Sequence, residues 1–133
     1  MTQALKIFRT TSFNLRMTHI FVFGSNRLGI HGAGAASFAR KNHGAISGQG
    51  EGLQGNSYAI PTKLSPNRTL SLDRIREHVD TFIQFAHNHT ELTFQVTRIG
   101  CGLAGYSDND IAPMFRNAPA NCILPPQWHS LAR

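Results

Sequence analysis

The residues best suited to chemistry lie in two glycine-rich stretches. Gly32-Ala33-Gly34 opens into Ala35–Lys41, a run of small residues and helix formers, and Gly100-Cys101-Gly102-Leu103-Ala104-Gly105 follows an apolar alternation. Glycine lets backbone N–H groups approach an anion with no Cβ in the way, and a helix N-terminus behind the loop adds a favourable dipole. Either stretch alone is equally a tight turn or a close helix–strand contact. Two of them at strand ends point to a diphosphate. A Rossmann site is excluded because Ser37 stands where the third glycine of G-x-G-x-x-G belongs, and no G-K-[ST] is present for a Walker A loop.

Side chains able to move protons are few. Of the seven acids, Asp73, Glu77 and Asp80 fall on the outer face of one helical segment, and Glu91 ends that segment. Glu51 stands in Gly48–Gly55, a glycine-rich loop able to close over a substrate, and is the first candidate for a general base. Asp108 and Asp110 come next, with helix capping as the competing role. His31 adjoins the first glycine stretch and is placed to donate to phosphate or act as an acid. Cys101 follows a glycine, but nothing fixes a histidine beside it, so it reads as structural. The remaining histidines, 19, 43, 78, 87, 89 and 129, show neither H-E-x-x-H nor Cys/His zinc spacing, so no metal and no cofactor is expected.

Elements must carry these loops. His19–Phe23 is a short apolar run rich in strand formers that ends at Gly24-Ser25-Asn26. Gly32–Lys41 predicts a helix stopped by Asn42-His43-Gly44. Ser47–Asn56, with four glycines, predicts a loop, and Ser57–Thr62 a second strand that Pro61 confines to an end or edge. Leu72, Ile75, Val79, Phe82, Ile83 and Ala86 recur at intervals of three and four, so a helix follows, capped by Ser71, with Asp73 at the positive end of its dipole. Leu92, Phe94 and Val96 alternate as a strand. A short helix starting among Ser107–Asp110 takes Pro113 in its first turn, and Cys122–Leu124 is a last strand. Strands alternating with helices imply an α/β sandwich with a largely parallel or mixed sheet, whose ligands sit beyond the carboxyl ends of strands.

The chain has 133 residues, 41% hydrophobic and 15% charged, which is one domain with a buried core. No apolar run approaches the roughly 20 residues of a bilayer span. Two cysteines argue against a disulfide framework and for a reducing, cytoplasmic home. The net charge is +6, and residues 1–16 hold Lys6, Arg9 and Arg16 with no acid. They read as an N-terminal extension, either a targeting or nucleic-acid-binding arm or a stretch upstream of a working start at Met17. The domain proper is then 17–133. The positive balance favours anionic ligands without choosing one.

The order of motifs resembles a known family. Asn26-Arg27-Leu28-Gly29-Ile30-His31-Gly32-Ala33-Gly34-Ala35 is similar to the macrodomain signature of an Asn, a glycine-rich loop and a helix, and Arg98-Ile99-Gly100-Cys101-Gly102-Leu103 resembles the second phosphate loop. The match is to the branch that holds the terminal ADP-ribose protein glycohydrolase and the antitoxins that reverse DNA ADP-ribosylation. That branch also has a basic pair like Arg40-Lys41 and a strand like Tyr58–Lys63. The resemblance spans most of residues 18–115. It implies an ADP-ribose cleft in a three-layer α/β/α macrodomain-like sandwich. By position, Asn26 meets the distal ribose, and the backbone of Gly32–Gly34 and Gly102–Gly105 holds the diphosphate. Tyr106 packs on the ribose. The alternatives are a turn residue capping its own loop for Asn26 and a half-buried core aromatic for Tyr106.

The chain departs from its relatives where chemistry would occur. Ala36 and Ala104 stand where hydrolytic members carry acids. Glu51, Asp108 or, as the family's reactive lysine, Lys41 must then supply catalysis. Three readings stay open. The protein is a hydrolase acting on ADP-ribosylated protein or nucleic acid, a non-catalytic reader of ADP-ribose or a related nucleotide, or a nucleic-acid-binding protein. Sparse aromatics and the lack of a reading helix count against the last. No membrane partner is expected, and the oligomeric state is open.

Overall fold

The computed structural model describes residues 19–133. The expected extension at 1–16 and the start at Met17 lie outside the described residues. The fold is α/β. In chain order it runs β1 (His19–Asn26), α1 (Gly34–Asn42), β2 (Gly52–Gln54), β3 (Ser57–Ser65), β4 (Arg68–Thr69), α2 (Leu72–His87), β5 (Thr93–Val96), α3 (Asp108–Ile111), a 3-10 turn at Ala112–Phe115, β6 (Cys122–Ile123) and a 3-10 turn at Pro126–Trp128. The six strands form one mixed sheet in the order β2-β3-β1-β5-β6, with β4 beside β3. β3, β1, β5 and β6 are mutually parallel, and the two short antiparallel strands lie along the outer edge of β3.

The period-two alternation of β1 sorts the core. Ile20 and Val22 face one way, in register with Phe94 and Val96 of β5, and join Tyr58 and Ile60 of β3 against α2. Ile75, Val79 and Phe82, spaced as the sequence predicts, are fully buried in this layer. Burying each is worth roughly 1.5–3 kcal/mol. Phe23 faces the other way and meets Ala59, Ala36, Ala39 and Ala45, with Phe21 at the margin. Alanines there let the short α1 sit close against the sheet. Ser71 caps α2 by accepting from the Arg74 N–H (3.3 Å), with Asp73 in the first turn. Among the described residues no helix is long and apolar enough to cross a membrane.

Three local expectations change. Pro61 does not mark an end or an edge but sits mid-strand in β3, with β1 beside it throughout. It is tolerated because β2 pairs with residues 57–59 and β4 with 63–65, leaving a gap opposite Pro61. The β1 register also slips between Ser25 and Asn26 at the same point. A missing N–H costs little at such an irregularity. The loop expected at Ser47–Asn56 contains the three residues of β2. The short helix ends at Ile111, and Pro113 instead lies in the first turn of the 3-10 segment that follows.

Candidate functional site

A cleft of about 500 Å³ opens at the carboxyl ends of β1, β3 and β5. Both glycine stretches reach it. The three strands converge on its floor: a Cβ on Gly24 would lie 3.3 Å from Thr62 Oγ1 and 3.5 Å from the Gly100 nitrogen. Thr62 Oγ1 donates to the Ser25 carbonyl (3.3 Å), and Thr97 Oγ1 to that of Val22 (2.7 Å). Gly100 has φ +74°, and a Cβ there would press on Ile111 at 3.0 Å, so only glycine fits the turn off β5.

The first loop, Arg27–Ala33, is closed by Asn26. Its Nδ2 donates to the Ile30 carbonyl (2.8 Å), while Oδ1 accepts from the Ile30 N–H (3.0 Å). Asn26 thus lines the cleft and clamps its own loop at once. The loop delivers Gly32, Ala33 and Gly34 to the wall, where α1 begins. That helix start is bare. Its N-cap is Ala33, with no capping side chain and no acid in the first turn. The first N–H groups of a helix have no partner within it, and here they face a cleft lined by Gly34, Ala35 and Ala36.

The second loop contributes Gly100, Gly102, Leu103 and Ala104 to the opposite wall. It is tightened by the Gly105 N–H donating to the Gly102 carbonyl (3.0 Å) and the Tyr106 N–H to that of Gly100 (2.9 Å). Gly105 and Tyr106 stand outside the lining. Tyr106 is half-buried against the α2 core, and its hydroxyl donates to the Leu70 carbonyl (2.8 Å), tethering the loop. Cys101 turns away from the cleft, partly buried. Burial first, and then Asp108, push its thiol up to about 11.

The candidate catalytic groups lie elsewhere. Glu51 pairs with His78 Nδ1 on α2 at 2.7 Å, and its loop packs behind the first glycine loop instead of over the cleft mouth. Lys41 is exposed in the last turn of α1, roughly 10 Å along the helix from the end that meets the cleft. Asp108 grips Arg98 with both oxygens (2.9 and 2.7 Å), and its Oδ1 also accepts from Trp128 Nε1 (2.6 Å). The Arg98 guanidinium first, and then the indole N–H, hold the Asp108 carboxyl down to about 2. Asp110 completes a capping box with Ser107. His31 is buried behind its loop.

No carboxylate is found among the described residues that line the cleft, and its ionic groups are Lys63 and Arg98. The sequence motifs assign a role to neither. Lys63 lies at the end of β3, with its Nζ donating to the Pro66 carbonyl (3.1 Å). The usable signal was position, because the carboxyl end of a parallel strand neighbouring β1 must face the same crevice. Ile30 and Leu103, 51% and 69% exposed, flank the opening from the two loops. Among known proteins, no family model, no curated protein and no solved structure matches the chain.

Proposed function

We propose that the cleft binds ADP-ribose, free or attached to a macromolecule, through its diphosphate, and that the sheet with its helices is a macrodomain-like sandwich. One observation carries the reading. Two glycine loops leaving adjacent parallel strands, one of them running into an uncapped helix N-terminus, meet across a single cleft. Unpaired N–H groups and a helix dipole suit a group with two negative charges. Lys63 adds positive charge with no carboxylate among the lining residues to repel it, Arg98 being already paired with Asp108, and a cleft of about 500 Å³ suits a nucleotide-sized ligand. Exposed Ile30 and Leu103 supply apolar surface for a base or a ribose.

Binding is the part the geometry favours. A second reading, hydrolysis of an ADP-ribosyl bond, is favoured by one observation: the amine inside the cleft is Lys63. If a lysine acts as nucleophile here, it is this one and not Lys41. The test is a ¹⁵N-resolved titration with ADP-ribose. Amides of Gly34–Ala36 and Gly102–Ala104 shift together if the reading is right. Shifts confined to other surfaces, or none at millimolar ligand, oppose it. ADP-ribose release from a modified substrate, lost in Lys63→Gln, would add the hydrolytic function.

A further inference from the structure

The first glycine loop does not stand alone. Behind it lies Ala45–Gln54, and the two backbones approach more closely than side chains permit. A Cβ on Gly50 would collide with the Asn26 and Arg27 carbonyl oxygens, and one on Gly29 (φ +72°) with the Gln49 backbone. The Gly48 N–H donates to the Gly29 carbonyl (2.9 Å), and Ser25 Oγ donates to that of Gly50.

Two buried polar side chains join these segments, His31 and Gln54, 3% and 2% exposed. Gln54 Oε1 accepts from the Ile46 N–H (2.7 Å), which fixes the orientation of the amide. Its Nε2 then donates to the carbonyls of Gln49 (3.1 Å) and Gly52 (3.3 Å). His31 Nε2 lies 3.1 Å from the Gln49 carbonyl and 3.2 Å from Gln54 Oε1. Both neighbours are acceptors, so this nitrogen carries the proton. Nδ1 is buried without a partner, as suits a bare nitrogen better than an N–H. His31 is flanked by Ile30 and Gly32 of the cleft wall, and its carbonyl accepts from Arg40 Nε on α1 (3.3 Å).

We propose that His31 and Gln54 are positioning residues. They lock the first glycine loop onto Ala45–Gln54 and so hold the helix amides in place opposite the second loop, without touching the ligand. A loop already ordered before binding loses less entropy when it binds. The effect on affinity rests on the ADP-ribose reading above; the effect on the loop does not. Gln54→Leu keeps the bulk but removes the acceptor of two N–H groups and both amide donors.

The experiment measures amide hydrogen exchange and ADP-ribose affinity in Gln54→Leu, His31→Leu and His31→Gln. In His31→Gln the amide nitrogen reaches the place of Nε2. In both Leu variants the hydrogen-bonded amides of Gly29, Ile30 and Gly48 should exchange at least about tenfold faster, with those of Val79 and Phe82 unchanged. Affinity should fall about tenfold at a temperature where the variants are folded, and His31→Gln should restore much of both. Wild-type exchange and affinity in the Leu variants overturn the proposal, as does a lowered Tm with neither quantity changed. If Gln54→Leu does not fold, the two His31 variants decide. If wild type does not bind ADP-ribose, the proposed function fails, and loop exchange alone decides the brace.

Discussion

Replacing Ala33 with Asp should move stability and binding in opposite directions. Ala33 is the N-cap of α1, its backbone is extended (φ −152°, ψ 161°), and no side chain caps the helix. The residue is exposed, so a larger side chain has room. An Asp in that conformation accepts from the second or third helical N–H and meets the positive end of the dipole. The combined gain is about 1 kcal/mol, or roughly 3–5 °C in Tm for a domain of this size. The same carboxylate then occupies the amides proposed for phosphate. At about 6 Å and an effective dielectric constant near 40, each phosphate charge is repelled by about 1.4 kcal/mol. Two charges give about 3 kcal/mol, roughly a hundredfold loss of affinity. Added salt should shrink the loss. Ala33→Ser is the neutral control, with a similar gain in Tm and only a few-fold weaker binding. Thermal melts and calorimetry read both quantities. A stabilised Asp variant that binds ADP-ribose as wild type does would show that the helix amides are not the phosphate site. A variant with no gain in Tm would refute the uncapped helix start.

Three further outcomes follow from the charges and thiols. The Asp108 pKa, held at about 2 by Arg98 and Trp128, lies below its ordinary 3.8. The carboxylate's contribution is therefore complete above about pH 4 and fades as pH falls towards 2. Trp128 is the only tryptophan, so its emission should hold steady down to about pH 4, change below it, and differ already at neutral pH in Asp108→Asn; an emission transition at pH 5–6 in wild type contradicts this. Burial pushes the Cys122 thiol up to about 12, and Cys101 stands at about 11, so both should label slowly near pH 8 in the native protein and quickly in denaturant. Fast native labelling of Cys101 would contradict its assigned burial. Desolvation first, and then His19, lower the pKa of His43, which stacks on Phe21 at 4.5 Å. Its contribution is present above its unfolded value of 6.5 and is lost as pH falls through the lower folded value. Tm should therefore drop as pH falls below 6.5, and less steeply in His43→Phe; equal slopes refute the assignment.

Much of the fold was legible because period and capping were unambiguous. The stripe from Leu72 to Ala86 with Ser71 before it specifies α2, and the run from His19 specifies where β1 begins, although the strand continues through Gly24, Ser25 and Asn26, where the sequence predicts a loop. Pro61 misled because its tolerance depends on two short antiparallel strands leaving a gap opposite it, which no local rule contains. The two glycine stretches could be assigned to one cleft from topology. Side-chain orientation could not. Cys101 and His31 are adjacent in sequence to lining residues and Tyr106 lies two beyond Ala104, yet each turns to the core or to a neighbouring loop. Glu51 looked available because its glycines suggested a mobile loop. Gly50 instead serves a close backbone contact, and Gly48 bonds the neighbouring loop.

Calorimetric titration of wild type with ADP-ribose and, separately, with AMP bears most directly on the cleft. The account predicts micromolar binding of ADP-ribose, about −8 kcal/mol, with AMP at least about tenfold weaker because it lacks the second phosphate. Absence of ADP-ribose binding at millimolar concentration, or equal affinity for AMP, would contradict the diphosphate cradle.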